Sequence, residues 1–153
     1  MYEVRKTFDH SLGISCCFRQ WPATHSHCHF LHGYALKIVL VFQSESLNEC
    51  NWVTDFGGLK EVKQWIVDTF DHKTLVAKND PQIVLFREMA IAGLIDLIEV
   101  ETIGCEMFAR MIYDYVRNNH HDGNLLERVE VHEHGGNMAA YSEGMPLKYR
   151  ESE

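Results

Sequence analysis

The ten residues His25–Tyr34 (HSHCHFLHGY) hold four histidines and one cysteine, and an alternating apolar run follows at once. Leu36, Ile38, Leu40 and Phe42 recur at every second position, the period of a strand with one buried face. His32 and Tyr34 continue that face backwards if the strand extends to them. A strand is therefore expected over 33–43, preceded by a polar loop over 22–31. Nucleophilic and metal-ligating side chains sit where this loop meets the strand, which points to an active site anchored on a sheet.

The length of 153 residues fits one domain with a sizeable core. A formal net charge of −8, with 14 lysines and arginines and no basic run, argues against nucleic acid as a partner. No apolar run approaches the length of a membrane span, and the N-terminus lacks a signal-peptide pattern. The five cysteines, Cys16, Cys17, Cys28, Cys50 and Cys105, form no regular framework, so free thiols in the cytoplasm are expected.

Along the sequence, Tyr2, Val4 and Phe8, then Ile14, Cys16 and Phe18, suggest two extended pieces around a turn at 9–13. Trp52-Val53-Thr54 reads as a short extended piece. Asp55 is a candidate N-cap for a helix whose apolar positions are Leu59, Val62, Ile66 and Phe70, ending near Asp71-His72. Asp80-Pro81 signals a second helix running to about Ala92 and stopping at Gly93. A third helix is expected from about Thr102, with Phe108, Met111, Ile112 and Tyr115 as its stripe. Leu125 to His134 reads as a strand, Gly135-Gly136-Asn137 as a hairpin turn and Met138 to Ser142 as the return strand. The tail from Gly144 is polar and expected to be loose. The order β-β-α-α-α-β-β predicts an α+β layer, an antiparallel sheet with helices on one side.

Four groups could carry chemistry. Cys28 sits between His27 and His29, and imidazoles beside a thiol favour the nucleophilic thiolate. A lone cysteine is more often a small buried hydrophobe. Asp71 can orient His72, although the pair read alone is an ordinary surface dipeptide beside Lys73. Glu133 continues the apolar Val129/Val131 face, so its carboxylate needs a partner or a ligand such as an amino-pyrimidine edge, unless the strand has already reached solvent. The His25/His27 and His132/His134 spacings permit zinc without specifying it. His10, His120 and His121 fall in expected turns and are set aside.

Taken together, Cys28-x-x-x-His32-Gly33, Trp52-Val53-Thr54-Asp55-Phe56 before a helix, Asp71-His72, and Val131-His132-Glu133 before a hairpin resemble the 6-pyruvoyltetrahydropterin synthase / 6-carboxytetrahydropterin synthase family. The likeness covers roughly residues 10–145. It implies a tunnelling fold (T-fold), an antiparallel four-stranded sheet with helices packed on one face. It also implies a homo-oligomer, commonly a hexamer of two trimers, with active sites between subunits. The implied reaction converts 7,8-dihydroneopterin triphosphate to a tetrahydropterin with loss of triphosphate, around a zinc ion that polarises the side-chain oxygens. On this resemblance Cys28 is the proton-shuttling cysteine, Asp71 and His72 the pair that supports it, Glu133 the pterin-ring anchor, and His32 a zinc ligand. The carboxy branch, which feeds queuosine-type biosynthesis, is preferred over the pyruvoyl branch.

The sequence departs from this pattern at the metal. Tyr34 stands where the second histidine of a His-Gly-His motif is expected, and counting back from Cys28 places Cys17 at the position of the histidine on an earlier strand. Zinc is then expected on His32 with Cys17 and His27 as substitute ligands, or metal binding is altered or lost. Residues 77–101 look like a helical insertion in a single domain spanning 1–153. Two other readings are kept: a non-catalytic pterin-binding protein on the same fold, and a hydrolase using Cys28, His72 and Asp71.

Overall fold

A computed structural model of the protein describes residues 1–144. Eight strands form two four-stranded sheets. The first sheet is antiparallel, in the order β1 (Tyr2–Phe8), β4 (Lys37–Ser44), β7 (Leu126–His134), β8 (Asn137–Tyr141). The second has the order β3 (His32–Ala35), β2 (Ser15–Phe18), β5 (Lys73–Ala77), β6 (Leu97–Val100). Three helices accompany them: α1 (Lys60–Phe70), α2 (Ile83–Ile91) and α3 (Cys105–Asn119).

The apolar alternation works as expected in β4. Ile38, Leu40 and Phe42 are fully buried, and Val129 and Val131 of β7 lie beside them. Helix α3 covers this sheet from β7 to β8 with Phe108, Ala109, Ile112 and Val116. Val39 and Val41 on the other β4 face are buried too. Phe18, Phe70 and Phe108 meet edge to face at centroid distances of 5.1 and 5.4 Å, joining the second sheet to α1 and α3.

Several local expectations are corrected. The strand expected over 33–43 is two strands, broken at Leu36, whose N–H donates to the Ile14 carbonyl at 2.8 Å. The backbone switches sheets at that residue. Trp52-Val53-Thr54 forms bends rather than a strand, with Thr54 buried and donating its hydroxyl to Asp122 at 2.7 Å. Helix α3 starts at Cys105, after Gly104 at φ 122°. Asp55 caps a 3₁₀ turn, Phe56–Leu59, that feeds α1. The polar tail lies, from residue 145 on, outside the described residues.

Two strands were not anticipated. β5 follows α1 directly and pairs parallel with β2; β6 pairs parallel with β5, and α2 makes the crossover between them. Residues 77–101 thus contain β6 as well as the expected helix. Asp80 fastens this unit to the end of β2. Its carboxylate takes Arg19 in a bidentate pair at 2.6 and 2.8 Å and accepts the Gln82 N–H at 2.8 Å in the turn that leads into α2.

Candidate active site

Cys28 lies in a 3₁₀ turn, His27–His29, capped by the Ser26 hydroxyl, which accepts the Cys28 N–H at 3.2 Å. The Cys28 carbonyl accepts the Gln20 N–H at 2.8 Å, so the cysteine hangs beyond the Phe18 end of β2. The thiol is exposed. His29 is turned away from it, its Nδ1 bonded to the Trp21 carbonyl at 2.8 Å.

Glu133 stands near the end of β7, where a register shift between His132 and His134 interrupts the β7–β8 ladder. Such a shift re-aims side chains at the sheet end. The Cys105 thiol donates to Glu133 at 3.5 Å. Both line a cavity of about 410 Å³ with Glu106, Gly136, Asn137 and Met138. Burial, then the Glu133 charge, push the Cys105 thiol far above the ordinary range, so it is a neutral donor. Tyr34 is linked to the same place: burial raises its phenol, followed by the charges of Glu133, Cys28 and Cys105. Cys105 and Glu133 thus share one cavity, and Tyr34 feels the charges of both and of Cys28.

Asp71 and His72 sit elsewhere. Asp71 Oδ1 accepts the Ser15 N–H at 3.1 Å and the His72 Nδ1–H at 2.9 Å, while the His72 N–H donates to the Ser15 carbonyl at 2.6 Å. His72 adopts φ 56°, an uncommon backbone region for a side-chain-bearing residue, and its imidazole is 84% exposed. With Nδ1 held by Asp71, Nε2 is the ring nitrogen left for a ligand or a second protomer. The dyad is thus anchored at the Ser15 end of β2, whereas Cys28 is anchored at the Gln20 end. At about 3.3 Å per residue, the two anchors are roughly 16 Å apart. A single protomer does not bring Cys28 onto His72, which removes the Cys-His-Asp hydrolase in its monomeric form.

The expected metal set is also not assembled. In the β2–β3 ladder Cys17 pairs with Gly33 and Phe18 with His32. Side chains alternate across a sheet, so Cys17 and His32 leave opposite faces. Cys17 instead bonds the Thr74 hydroxyl at 3.2 Å and lines a different cavity with Ser15, His72 and Lys73. His27 is exposed on its turn. Among the described residues no three donors that include His32, His27 or Cys17 converge.

The residue that shares the face of His32 and Tyr34 is Phe18, with ring centroids 5.6 and 6.1 Å away; His32 and Tyr34 are 5.3 Å apart. Sequence counting missed Phe18 by one position. Three donors do converge at His120, His121 and Asp122, where the sequence suggested only a turn. There the Asp122 N–H donates to His120 Nδ1 at 3.2 Å, which uses the lone pair and leaves the neutral ring's proton on Nε2. Burial and then His121 hold His120 below the usual histidine range.

The family profile described as 6-pyruvoyl tetrahydropterin synthase matches residues 3–144. A 6-carboxy-5,6,7,8-tetrahydropterin synthase of Aquifex aeolicus is 26% identical over 106 residues, 68% of this chain and 65% of that protein. One from Rickettsia felis is 32% identical over 56 residues, 36% of this chain and 41% of that protein. The matched region therefore spans less than two thirds of these relatives. Among solved structures, an uncharacterized protein from Wolinella succinogenes superposes with a TM-score of 0.79 at 20% identity, covering 94% of this chain and 98% of that one. The Caenorhabditis elegans 6-pyruvoyl tetrahydropterin synthase does so with a TM-score of 0.63 at 17% identity, covering 94% of each. The fold is that of these proteins. With its profile match running from the first strand through the last, the chain belongs to the 6-pyruvoyl tetrahydropterin synthase family.

Proposed function

We propose that the protein is a lyase acting on 7,8-dihydroneopterin triphosphate, releasing triphosphate and forming a tetrahydropterin. 6-Carboxytetrahydropterin is the preferred product, as a step toward queuosine-type bases, and 6-pyruvoyltetrahydropterin is the other branch. The observation that carries this reading is Glu133. Its carboxylate lies at a cavity of about 410 Å³, with a neutral thiol donating to one oxygen and lone pairs left for a ligand. Two N–H groups of an amino-pyrimidine edge would satisfy them, and Cys28, whose charge reaches Tyr34, would move a proton of the substrate's polyol arm. In the elimination, a C–H bond of that arm gives up its proton and triphosphate departs with the electron pair of its C–O bond. The zinc that the resemblance implies does not fit Phe18, His32 and Tyr34.

A homo-oligomer is part of the proposal, because His72 must come to Cys28 from a neighbouring protomer. All five cysteines are free, in keeping with a cytoplasmic protein. No described helix is long and apolar enough to cross a membrane. The test is incubation with 7,8-dihydroneopterin triphosphate under reducing conditions, with the product identified by mass. The incomplete metal set favours one second reading, a non-catalytic pterin-binding protein. Binding without triphosphate release would select it.

A further inference from the structure

Three rings stand where the family resemblance places a metal. Phe18, His32 and Tyr34 form a closed triangle with centroid separations of 5.3 to 6.1 Å, on the face of the β2–β3 ladder that also looks toward His134 of β7. Phe18 is 2% exposed and offers no donor atom. It is pinned edge-on against Phe108 at 5.1 Å, so the ring is part of the core. Cys16, the other inward residue of β2, lies across from Tyr34, is 3% exposed within the hydrophobic core, and joins His32 in no converging group of three donors among the described residues. Within the triangle one imidazole and one phenol remain; His134, whose Nδ1 accepts the Gly136 N–H at 3.1 Å, joins His32 in no converging group of three donors among the described residues, so the site falls short of the three protein ligands of a catalytic zinc site.

The two remaining polar groups are complementary. His32 Nδ1 lies 2.7 Å from the Phe30 carbonyl, which can only accept, so Nδ1 carries the proton. Nε2 is then a bare acceptor. Tyr34, half-buried and packed edge-on against the His32 ring, supplies an O–H donor. An acceptor beside a donor suits two neighbouring oxygens of a ligand, such as the hydroxyls of a polyol arm.

We propose that this site works without a protein-bound metal, the His32 Nε2 acceptor and the Tyr34 O–H donor holding the polyol oxygens of the ligand over the Phe18 ring. The ligand class rests on the pterin reading of Glu133; the absence of a three-ligand metal site rests on the β2–β3 register and on the lack of converging donors around His32 among the described residues.

Two arms test it. In the first, wild type, His32→Ala and the double variant Phe18→His/Tyr34→His are loaded with zinc, passed through gel filtration and assayed for metal. Wild type is expected to keep no more zinc than His32→Ala, because whatever remains lies on other histidines. The double variant is expected to gain about one zinc per protomer and, with cobalt, a tetrahedral absorption signature. Zinc retained by wild type and lost in His32→Ala overturns the proposal, and this comparison stands even if Phe18→His does not fold.

In the second arm, binding of 7,8-dihydroneopterin is titrated with and without a chelator. Affinity is expected to be indifferent to the chelator and to fall about tenfold in Tyr34→Phe, which keeps the ring and removes one hydrogen bond. Binding abolished by the chelator, or unchanged in Tyr34→Phe, overturns it. No dihydroneopterin binding under either condition overturns the pterin reading and the assigned ligand together, while the metal arm still decides whether the site is metal-free.

Discussion

The Arg19–Asp80 pair joins the end of β2, next to Phe18 and the Cys28 loop, to the start of α2. Its removal should be the costliest single polar change in the fold. Asp80 is 1% exposed at its side chain and Arg19 16%; the pair is bidentate, and Arg19 also lies over the Phe86 ring at 6.0 Å. Asp80→Ala leaves a largely buried guanidinium without its counter-charge, an effect of about 3–5 kcal/mol. Loss of the hydrogen bond from the Gln82 N–H adds about 1 kcal/mol. Urea unfolding with a slope of about 2 kcal/mol/M would then show the midpoint falling by about 2–3 M. A double variant, Arg19→Met/Asp80→Leu, should recover most of the loss, because no buried charge is left unpaired. The pH dependence has a definite sign. Burial raises the Asp80 carboxyl, but the Arg19 hydrogen bonds, the Gln82 N–H and the Arg19 charge outweigh it and hold the group below its usual value. The contribution is therefore fully present above the unfolded value of about 3.9 and is lost only as pH falls through the lower folded value. A midpoint shift in Asp80→Ala below about 0.5 M, or a double variant as unstable as the single one, would refute this reasoning.

Phe108→Ala, which deletes the ring against which Phe18 and Phe70 pack, should cost about 3–5 kcal/mol by urea unfolding; a loss under about 1 kcal/mol would mean the three-ring junction is not a core element. Glu133→Gln should weaken dihydroneopterin binding about tenfold or more while the melting temperature moves by only a few degrees, and unchanged affinity would remove the ring-anchor role. Cys28→Ala and His72→Ala should each be inactive alone yet regain activity when the two are mixed and reassembled. Mixed assemblies as inactive as the parents would place both residues in the same site of one protomer, against the roughly 16 Å of strand between their anchors.

The legible parts of the sequence were those with a strong period or a cap. Leu36 to Phe42 alternate and are buried; Leu59, Val62, Ile66 and Phe70 recur at helical spacing and form the inner face of α1 and the turn that feeds it. Lys73–Ala77 was missed because a short parallel strand buried on both faces carries no alternation, and Leu97–Val100 because four residues of an edge strand are too few to show one; each abuts a helix or turn that absorbs its apolar residues into another pattern. The break at Leu36 was hidden because alternation continues across it while the backbone changes sheets. The metal ligands failed for a different reason. Counting from Cys28 selected Cys17, and a one-residue offset in a strand exchanges faces. Only the pairing of Phe18 with His32 reveals which side chain lies in the site. Likewise, Asp71 and His72 are adjacent in sequence to nothing that would reveal their distance from Cys28; the Ser15 hydrogen bonds do so.

The most direct test is turnover of 7,8-dihydroneopterin triphosphate by the wild-type protein under reducing conditions, in parallel with and without a chelator, with triphosphate and the pterin product resolved by mass. The expected result is triphosphate release in both conditions, a tetrahydropterin product, and loss of both in Cys28→Ala. No triphosphate release in either condition, nor when zinc is supplied, would contradict the lyase assignment.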